Sequence, residues 1–413
     1  MNYRVVRNTD YDYSGQSYAS SCPNLHRYPA TMLPQIGIDI LREFKINKGR
    51  MLDPYCGSGS SFSSGLSCGI KEMAGFDLNP LAVLISRVKF TRISLDSLEK
   101  VRQNFRNEVF EFIKSEKNIG TFSMPLVTNI NFWFSREVAA SLAVIKYFID
   151  KIENEDIRNF FLLAFSETVR ECSYTRANEF KLYRMKEEDI LNFNPDAVGF
   201  YFRKLNLLIS NYRNFYLPKL AAGVKIEIKN CEFQSADRMF DVVLTSPPYG
   251  DSRTTVSYGQ FSALSNEWMG VNNARKIDSL LMGGGRIKNV ISKGVMTDYI
   301  WEINKKDSKR ALEISSFYGD LDISIRKVAA GVKKGGKSIY IAGNRTVKGL
   351  QLPTDQFIAE KFEENGFKHI ITYKRALSGK TMPSRNSPSN KTGDVAGTMV
   401  YEYIIVCEKT SSF

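Results

Sequence analysis

The chain has 413 residues, 43% of them hydrophobic, which suits one large globular domain with insertions or two domains. Its formal net charge of +13 and pI near 9.3 suggest a polyanionic partner, most simply nucleic acid. No apolar run approaches the roughly 18 residues of a membrane span, Met1–Asp10 is too polar for a signal peptide, and the six cysteines at 22, 56, 68, 172, 231 and 407 form no Cys-x-x-Cys pair; with only His26 and His369 this argues against a metal site and for a reduced, cytoplasmic setting without a membrane partner.

Residues 1–25, polar and rich in Tyr and Ser, read as an irregular arm. His26 to Pro34 reads as extended, and Ile36, Ile38, Ile40, Leu41 and Phe44 continue it into a helix with Pro34 near the first turn. Met51-Leu52-Asp53 is a strand end, residues 54–60 a Gly-rich turn, and residues 61–68 the start of a helix. A second strand, Met73 to Phe76, ends at Asp77, and residues 80–88 are helical. Strand, Gly turn, helix, strand, acid is the order of a nucleoside-binding half. Gly57 and Gly59 let the backbone approach a ligand, and Asp77 is placed to accept from ribose hydroxyls. Phe62 stands where a dinucleotide turn has its third Gly, which argues against a pyrophosphate ligand.

Residues 92–222 break this rhythm. Val138, Leu142, Ile145, Phe148 and Ile149, then Ile157, Phe160, Phe161 and Phe165, recur at helical spacing, so this is a helical insertion of roughly 130 residues. Inside it, Arg170 to Arg176 reads either as a phosphate contact or as a solvated helix end. Residues 224–228 alternate as a strand, and Phe240 to Leu244 is a β-branched apolar run that fits a strand buried on both faces. Pro247 and Pro248 cannot continue a central strand, so it ends near Thr245 and leaves a rigid loop at its carboxyl end, where ligands bind in open α/β sheets. The two prolines push Ser246 and Pro247 toward extended geometry, which frees their carbonyls to accept from a ligand beside the flat face of Tyr249. Acceptors beside a stacking face suit a planar substrate with an exocyclic amine. Residues 250–310, polar and basic with Gly283-Gly284-Gly285, read as a mobile substrate loop with some helix. A helix at 320–330, a turn at 333–337, a strand at 338–342, a helix at 354–365 ended by Gly366, and two last strands, 369–373 and 399–407, complete the chain. The last two read as an antiparallel pair separated by a polar loop carrying Lys380, Arg385, Asn386 and Lys391.

These motifs resemble the amino-group DNA methyltransferases that use S-adenosylmethionine, most closely the cytosine-N4 branch. The resemblance covers most of residues 26–90 and 224–409. Tyr28-Pro29-Ala30 is similar to the family's N-terminal motif, Asp53-Pro54-Tyr55-Cys56-Gly57-Ser58-Gly59 to its cofactor loop, Asp77-Leu78-Asn79-Pro80 to its ribose motif, and Thr245-Ser246-Pro247-Pro248-Tyr249 to its catalytic motif. The resemblance implies a Rossmann-like, doubly wound α/β sheet, mostly parallel with an antiparallel C-terminal hairpin. The cofactor-binding half is 1–91, the helical insertion 92–222, and the catalytic half 223–413.

It implies cofactor contacts from Tyr28, Pro29, Ala30, Asp53, Pro54, Gly57, Gly59, Asp77, Leu78 and Thr245, and catalysis by Ser246, Pro247, Pro248 and Tyr249 on a cytosine flipped from duplex DNA. Ser in the first catalytic position favours cytosine N4 in this family, whereas Asp or Asn favours adenine N6. Ring-carbon methylation would call for a Pro-Cys pair, which the chain lacks. Two departures stand out: Asn230-Cys231-Glu232 lacks the Gly-Asp often found before the catalytic strand, and no separate recognition domain follows Lys409. Recognition then falls to the insertion or to 250–310, with Arg253, Arg275, Lys276, Arg286 and Lys288 as the expected DNA-binding cations. A restriction endonuclease sharing the target site is an implied partner. The rival readings are an adenine-N6 DNA methyltransferase, an RNA guanine-N2 methyltransferase, and a nucleic-acid-binding protein that has lost catalysis.

Overall fold

The computed structural model describes residues 3–16, 23–115, 125–176, 179–220, 222–252, 255–285, 287–377, 385–386, 396–397 and 399–411. Its centre is an eight-stranded sheet: β1 (Val5–Arg7), β2 (Arg50–Asp53), β3 (Glu72–Phe76), β4 (Lys225–Lys229), β5 (Phe240–Thr245), β6 (Val332–Gly343), β7 (Phe367–Ala376) and β8 (Tyr401–Lys409). The spatial order is β1-β7-β8-β6-β5-β2-β3-β4. Only β8 runs against its neighbours, pairing antiparallel with both β6 and β7; every other pairing in this sheet is parallel. This is the doubly wound α/β sheet with a C-terminal antiparallel hairpin that the sequence leads one to expect.

The strands are apolar on both faces because both faces are covered. Met51, Val242, Leu244, Ile339 and Ile404 point into one apolar cluster, and Leu52, Val243, Tyr340, Ala342 and Ile405 point into the other. The first cluster continues without a break into the helices between β3 and β4 through Leu142, Phe160, Phe161, Phe165 and Tyr212. Its main helices begin where short polar side chains satisfy free backbone N–H groups. Ser94, Ser135, Asn154 and Asp196 each accept from the residue three positions on. The second cluster is closed by the helices Thr297–Lys306, Ser308–Ala330 and Thr354–Glu364.

Chain order reverses between β2 and β5, the switch point at which such sheets bind ligands. The carboxyl ends of these two strands are tied directly, Thr245 Oγ1 donating to Asp53 Oδ1 at 2.5 Å.

Two expectations change. The N-terminal arm is not irregular throughout, since Val5–Arg7 pairs with residues 372–374 as an edge strand. The turn at 333–337 lies inside β6, where Gly335 at φ +76° accompanies a shift in register against β5. Segment 250–310 carries some helix, as expected, in Tyr258–Trp268, Ile277–Leu280 and Thr297–Lys306. Arg170, at the end of the helix Glu155–Glu171, lays its guanidinium over the Phe261 ring at 4.1 Å and donates to the Phe261 carbonyl at 2.9 Å.

Candidate active site

A cavity of about 480 Å³ opens at the switch point, within the size range of small-molecule sites. The Gly turn builds its floor. Gly57 and Gly59 sit at φ +49° and +82°, left-handed conformations that glycine adopts without strain. At Gly59 a side chain is also excluded by space, because a Cβ would lie 2.5 Å from the Phe90 ring. Phe62, in the place of a third glycine, is fully buried and stacks edge-on against Phe90, filling the space beneath the turn. Side chains of the helix Pro80–Phe90 fix the turn from behind: Ser86 Oγ donates to the Gly57 carbonyl at 2.7 Å and Lys89 Nζ to the Ser58 carbonyl at 2.8 Å.

Asp77, just beyond β3, accepts from the Gly57 N–H at 2.9 Å and from the Asn79 N–H at 2.8 Å. Burial pushes its carboxyl up to about 6 against the pull of those two donors. A carboxylate offers about four acceptor sites, so capacity remains for ligand hydroxyls. Asp53 is more fully committed. It accepts from Ser61 Oγ and Thr245 Oγ1, both at 2.5 Å, and from the Tyr55 N–H at 3.0 Å, and burial again pushes it up to about 6. It therefore serves to lock the Gly turn to β5.

One wall is aromatic. Tyr28 stacks on Tyr258 with ring centroids 5.9 Å apart, and its hydroxyl accepts from Asn79 Nδ2 at 3.2 Å. Ala30, two residues on, also borders the cavity and holds φ +52°, a conformation that costs a non-glycine residue energy and clusters at functional sites. The segment Ser279 to Met282 and Gly285 closes the opposite side, held by Gly283 N donating to Asp320 Oδ2 at 2.8 Å.

The loop after β5 is pinned at several points. Thr245 is tied to Asp53, as above. Ser246 Oγ donates to Tyr249 Oη at 3.2 Å, and Tyr249 Oη donates to Glu402 Oε1 at 3.2 Å. Asp251, 2% exposed, pairs through Oδ2 with Arg345 at 3.1 Å and Arg310 at 3.4 Å.

Of the residues singled out from sequence, Tyr28, Ala30, Asp53, Pro54, Gly57, Asp77, Leu78, Ser246 and Pro248 border the cavity. Pro29, Gly59, Thr245, Pro247 and Tyr249 are not among its lining residues. Arg275 is engaged by Glu267 at 2.9 Å and by the Thr128 carbonyl at 3.3 Å, while Lys276 and Lys288 are exposed. Arg253 and Arg286 lie outside the described residues, as do Lys380 and Lys391. Sequence reasoning missed Tyr258, Asn79, Asp320 and Lys327 on the wall. Only Asn79 carried a signal, as the cap before Pro80. Glu232, from the atypical Asn230-Cys231-Glu232, also borders the cavity.

The wall is acidic although the chain is basic: Asp53, Asp77, Glu232 and Asp320 face it, against Lys327. Ser58 Oγ, also on the wall, is buried without a hydrogen-bond partner among the described residues. An acid-rich wall and an unspent hydroxyl fit a cationic nucleoside ligand.

No protein-family model matches the chain. The type II methyltransferase M.MvaI of Kocuria varians is 37% identical over 409 residues, covering 92% of this chain and 89% of that protein. The type II methyltransferase M.MjaII of Methanocaldococcus jannaschii is 29% identical over 97 residues, 23% of this chain and 17% of its own. Among solved structures, TrmN from Thermus thermophilus covers 92% of this chain and 50% of its own at 10% identity and a TM-score of 0.31. The rRNA methyltransferase aviRa from Streptomyces viridochromogenes covers 97% and 94% at 11% identity and a TM-score of 0.30. Likenesses this slight do not bear on function.

Proposed function

The chain belongs to the type II methyltransferases, and we propose that it transfers a methyl group from S-adenosylmethionine to the exocyclic N4 amine of a cytosine flipped out of duplex DNA. The observation that carries this reading is the Ser246-Pro247-Pro248-Tyr249 loop at the switch point, with Ser246 and Pro248 facing the same cavity as Asp77 and Gly57.

Asp77 would hold the ribose hydroxyls, the Gly57 turn and Ser58 the methionine end, and Tyr28 the flank. The acidic wall suits a ligand with a sulfonium charge. The cofactor supplies a methyl group bonded to a positively charged sulfur. The chain's own work is to aim the amine. A cytosine amine is a poor nucleophile because its lone pair is delocalised into the ring. Ser246 Oγ and the Pro247 carbonyl accept the amine hydrogens and turn the nitrogen toward the methyl carbon; placement of this kind supplies much of the rate. The amine becomes acidic only once methylated, so no strong base is required before attack. Flipping costs a few kcal/mol, and stacking on Tyr249, worth about 1–3 kcal/mol, offsets part of it. Phosphate contact is assigned to the exposed Lys276 and Lys288, with Arg253, Arg275 and Arg286 beside them in the chain, so duplex affinity should fall steeply with salt. A restriction endonuclease reading the same site is the companion this function implies.

The test is single-turnover methyl transfer to duplex DNA by Tyr249→Ala and Tyr249→Phe, with cofactor affinity measured alongside. Ala should slow transfer by about tenfold to a hundredfold through lost stacking, Phe should be milder, and neither should change cofactor affinity. A wild-type rate in Tyr249→Ala would remove this loop from catalysis.

A further inference from the structure

We propose that Glu402 is a positioning residue which, acting through Tyr249, holds the Ser246 hydroxyl with its lone pairs turned toward the target amine; the inference rests on Ser246 being the amine acceptor. Sheet register puts Glu402 of β8 opposite Arg375 of β7 on one side and Gly343 of β6 on the other. Arg375 and Glu402 are 2% and 3% exposed, and Arg375 Nη1 donates to Glu402 Oε2. The guanidinium is itself fixed, with Nε donating to the Tyr11 carbonyl at 2.6 Å and Nη2 to the Asp12 carbonyl at 3.3 Å. Gly343 leaves room for Met399 and the tyrosine: a Cβ there would lie 1.9 Å from Met399 Sδ and 3.0 Å from the Tyr249 ring.

The chain of hydrogen bonds has one polarity. A carboxylate accepts and does not donate. The Glu402 carboxylate, set against the Arg375 guanidinium, accepts from Tyr249, whose oxygen is then an acceptor for Ser246. Burial, then the nearby Glu402, holds the Tyr249 phenol far above its ordinary range, so it stays a donor. Both hydroxyl separations, 3.2 Å, are longer than the usual O–H···O distance of up to about 3.0 Å, as is common before substrate closes a site. The single proton of Ser246 is thereby spent on Tyr249, and what it offers the base is acceptor capacity alone. A serine free to rotate could instead donate to the amine nitrogen and occupy the lone pair that must attack.

Glu402→Gln tests this, because an amide NH₂ can donate to Tyr249 and reverse the chain, so that Tyr249 donates to Ser246. Single-turnover transfer is measured for wild type, Glu402→Gln, Tyr249→Phe and the double variant, with Ser246→Ala in the same set. Glu402→Gln should slow transfer by at least about tenfold without altering cofactor or duplex affinity, and should cost less than about twofold in the Tyr249→Phe background, where no relay remains to reverse. Equal losses in both backgrounds, or a full-rate Glu402→Gln, overturn the inference. A slow Ser246→Ala beside a full-rate Glu402→Gln overturns it alone, whereas a full-rate Ser246→Ala overturns the underlying reading as well. Should Glu402→Gln not fold with Arg375 left unpaired, Arg375→Gln/Glu402→Gln carries the same cycle, with the same expected and contrary outcomes.

Discussion

The two ends of the cavity are built by opposite means. At the Gly-turn end, Asp77 bonds to backbone groups 20 and 2 residues away. At the Ser246-loop end each anchor comes from far along the chain: Thr245 reaches Asp53 across 192 residues, Tyr249 reaches Glu402 across 153, and Asp251 reaches Arg345 across 94. The first end is a local turn that a few residues specify. The second takes its shape only once the whole sheet has assembled, so damage to it should appear as lost stability or lost turnover rather than as lost ligand affinity.

Breaking the farther-reaching end should therefore give the largest stability effect. Asp251→Ala leaves Arg345, 8% exposed, and Arg310 without this carboxylate, and burial already disfavours the charge on Arg345. The expected cost is about 3–5 kcal/mol in denaturant unfolding. A cost below about 1 kcal/mol would mean that the cluster does not shape the loop.

Asp77→Ala breaks the local end. It should cost about 1.5–3 kcal/mol of cofactor binding, roughly tenfold to 150-fold in Kd, while the fold survives. Calorimetry that found unchanged affinity in a folded variant would remove Asp77 from the cofactor site.

Asp53 joins the two ends, and pH reports on it. Its carboxyl is pushed up to about 6 in the folded protein by burial, above the roughly 3.9 of an unfolded chain. The folded state then holds this proton more tightly, so its contribution to stability is fully present below about 4 and is lost as pH rises through about 6. Asp53→Asn should flatten that part of the wild-type stability profile; the same slope in both proteins would place the titration elsewhere. The smallest effect is expected here, because Asn keeps one of the two side-chain acceptor atoms for Ser61 and Thr245.

The same division explains what could be read from the sequence. The buried β5 run, its Pro-Pro stop, the Gly turn and Asp77 are each written within a few consecutive residues, and each stands in the structure at the switch point. The helices Arg136–Asp150 and Glu155–Glu171 were legible from their 3.6-residue period. Glu402 was not, since Tyr401-Glu402-Tyr403 looks like ordinary alternation with a polar residue facing water, and only the register opposite Arg375 shows it buried. Tyr258 was hidden for a related reason. It opens a helix whose buried Phe261, Leu264 and Trp268 make an ordinary apolar stripe, so it reads as one more residue of the packed face and nothing local marks it as bordering a cavity. Val5–Arg7 is three residues long and becomes a strand only through its pairing with β7.

The central claim is that the Ser246 loop delivers a methyl group to a cytosine amine in DNA. Its most direct measurement is mass spectrometry of nucleosides from duplex DNA incubated with the protein and S-adenosylmethionine, run beside Ser246→Ala. The expected result is N4-methylcytosine from the wild type and a strong loss of it from the variant. N6-methyladenine in its place, methyl transfer to RNA alone, or no methylated base from a folded, cofactor-binding protein would contradict it.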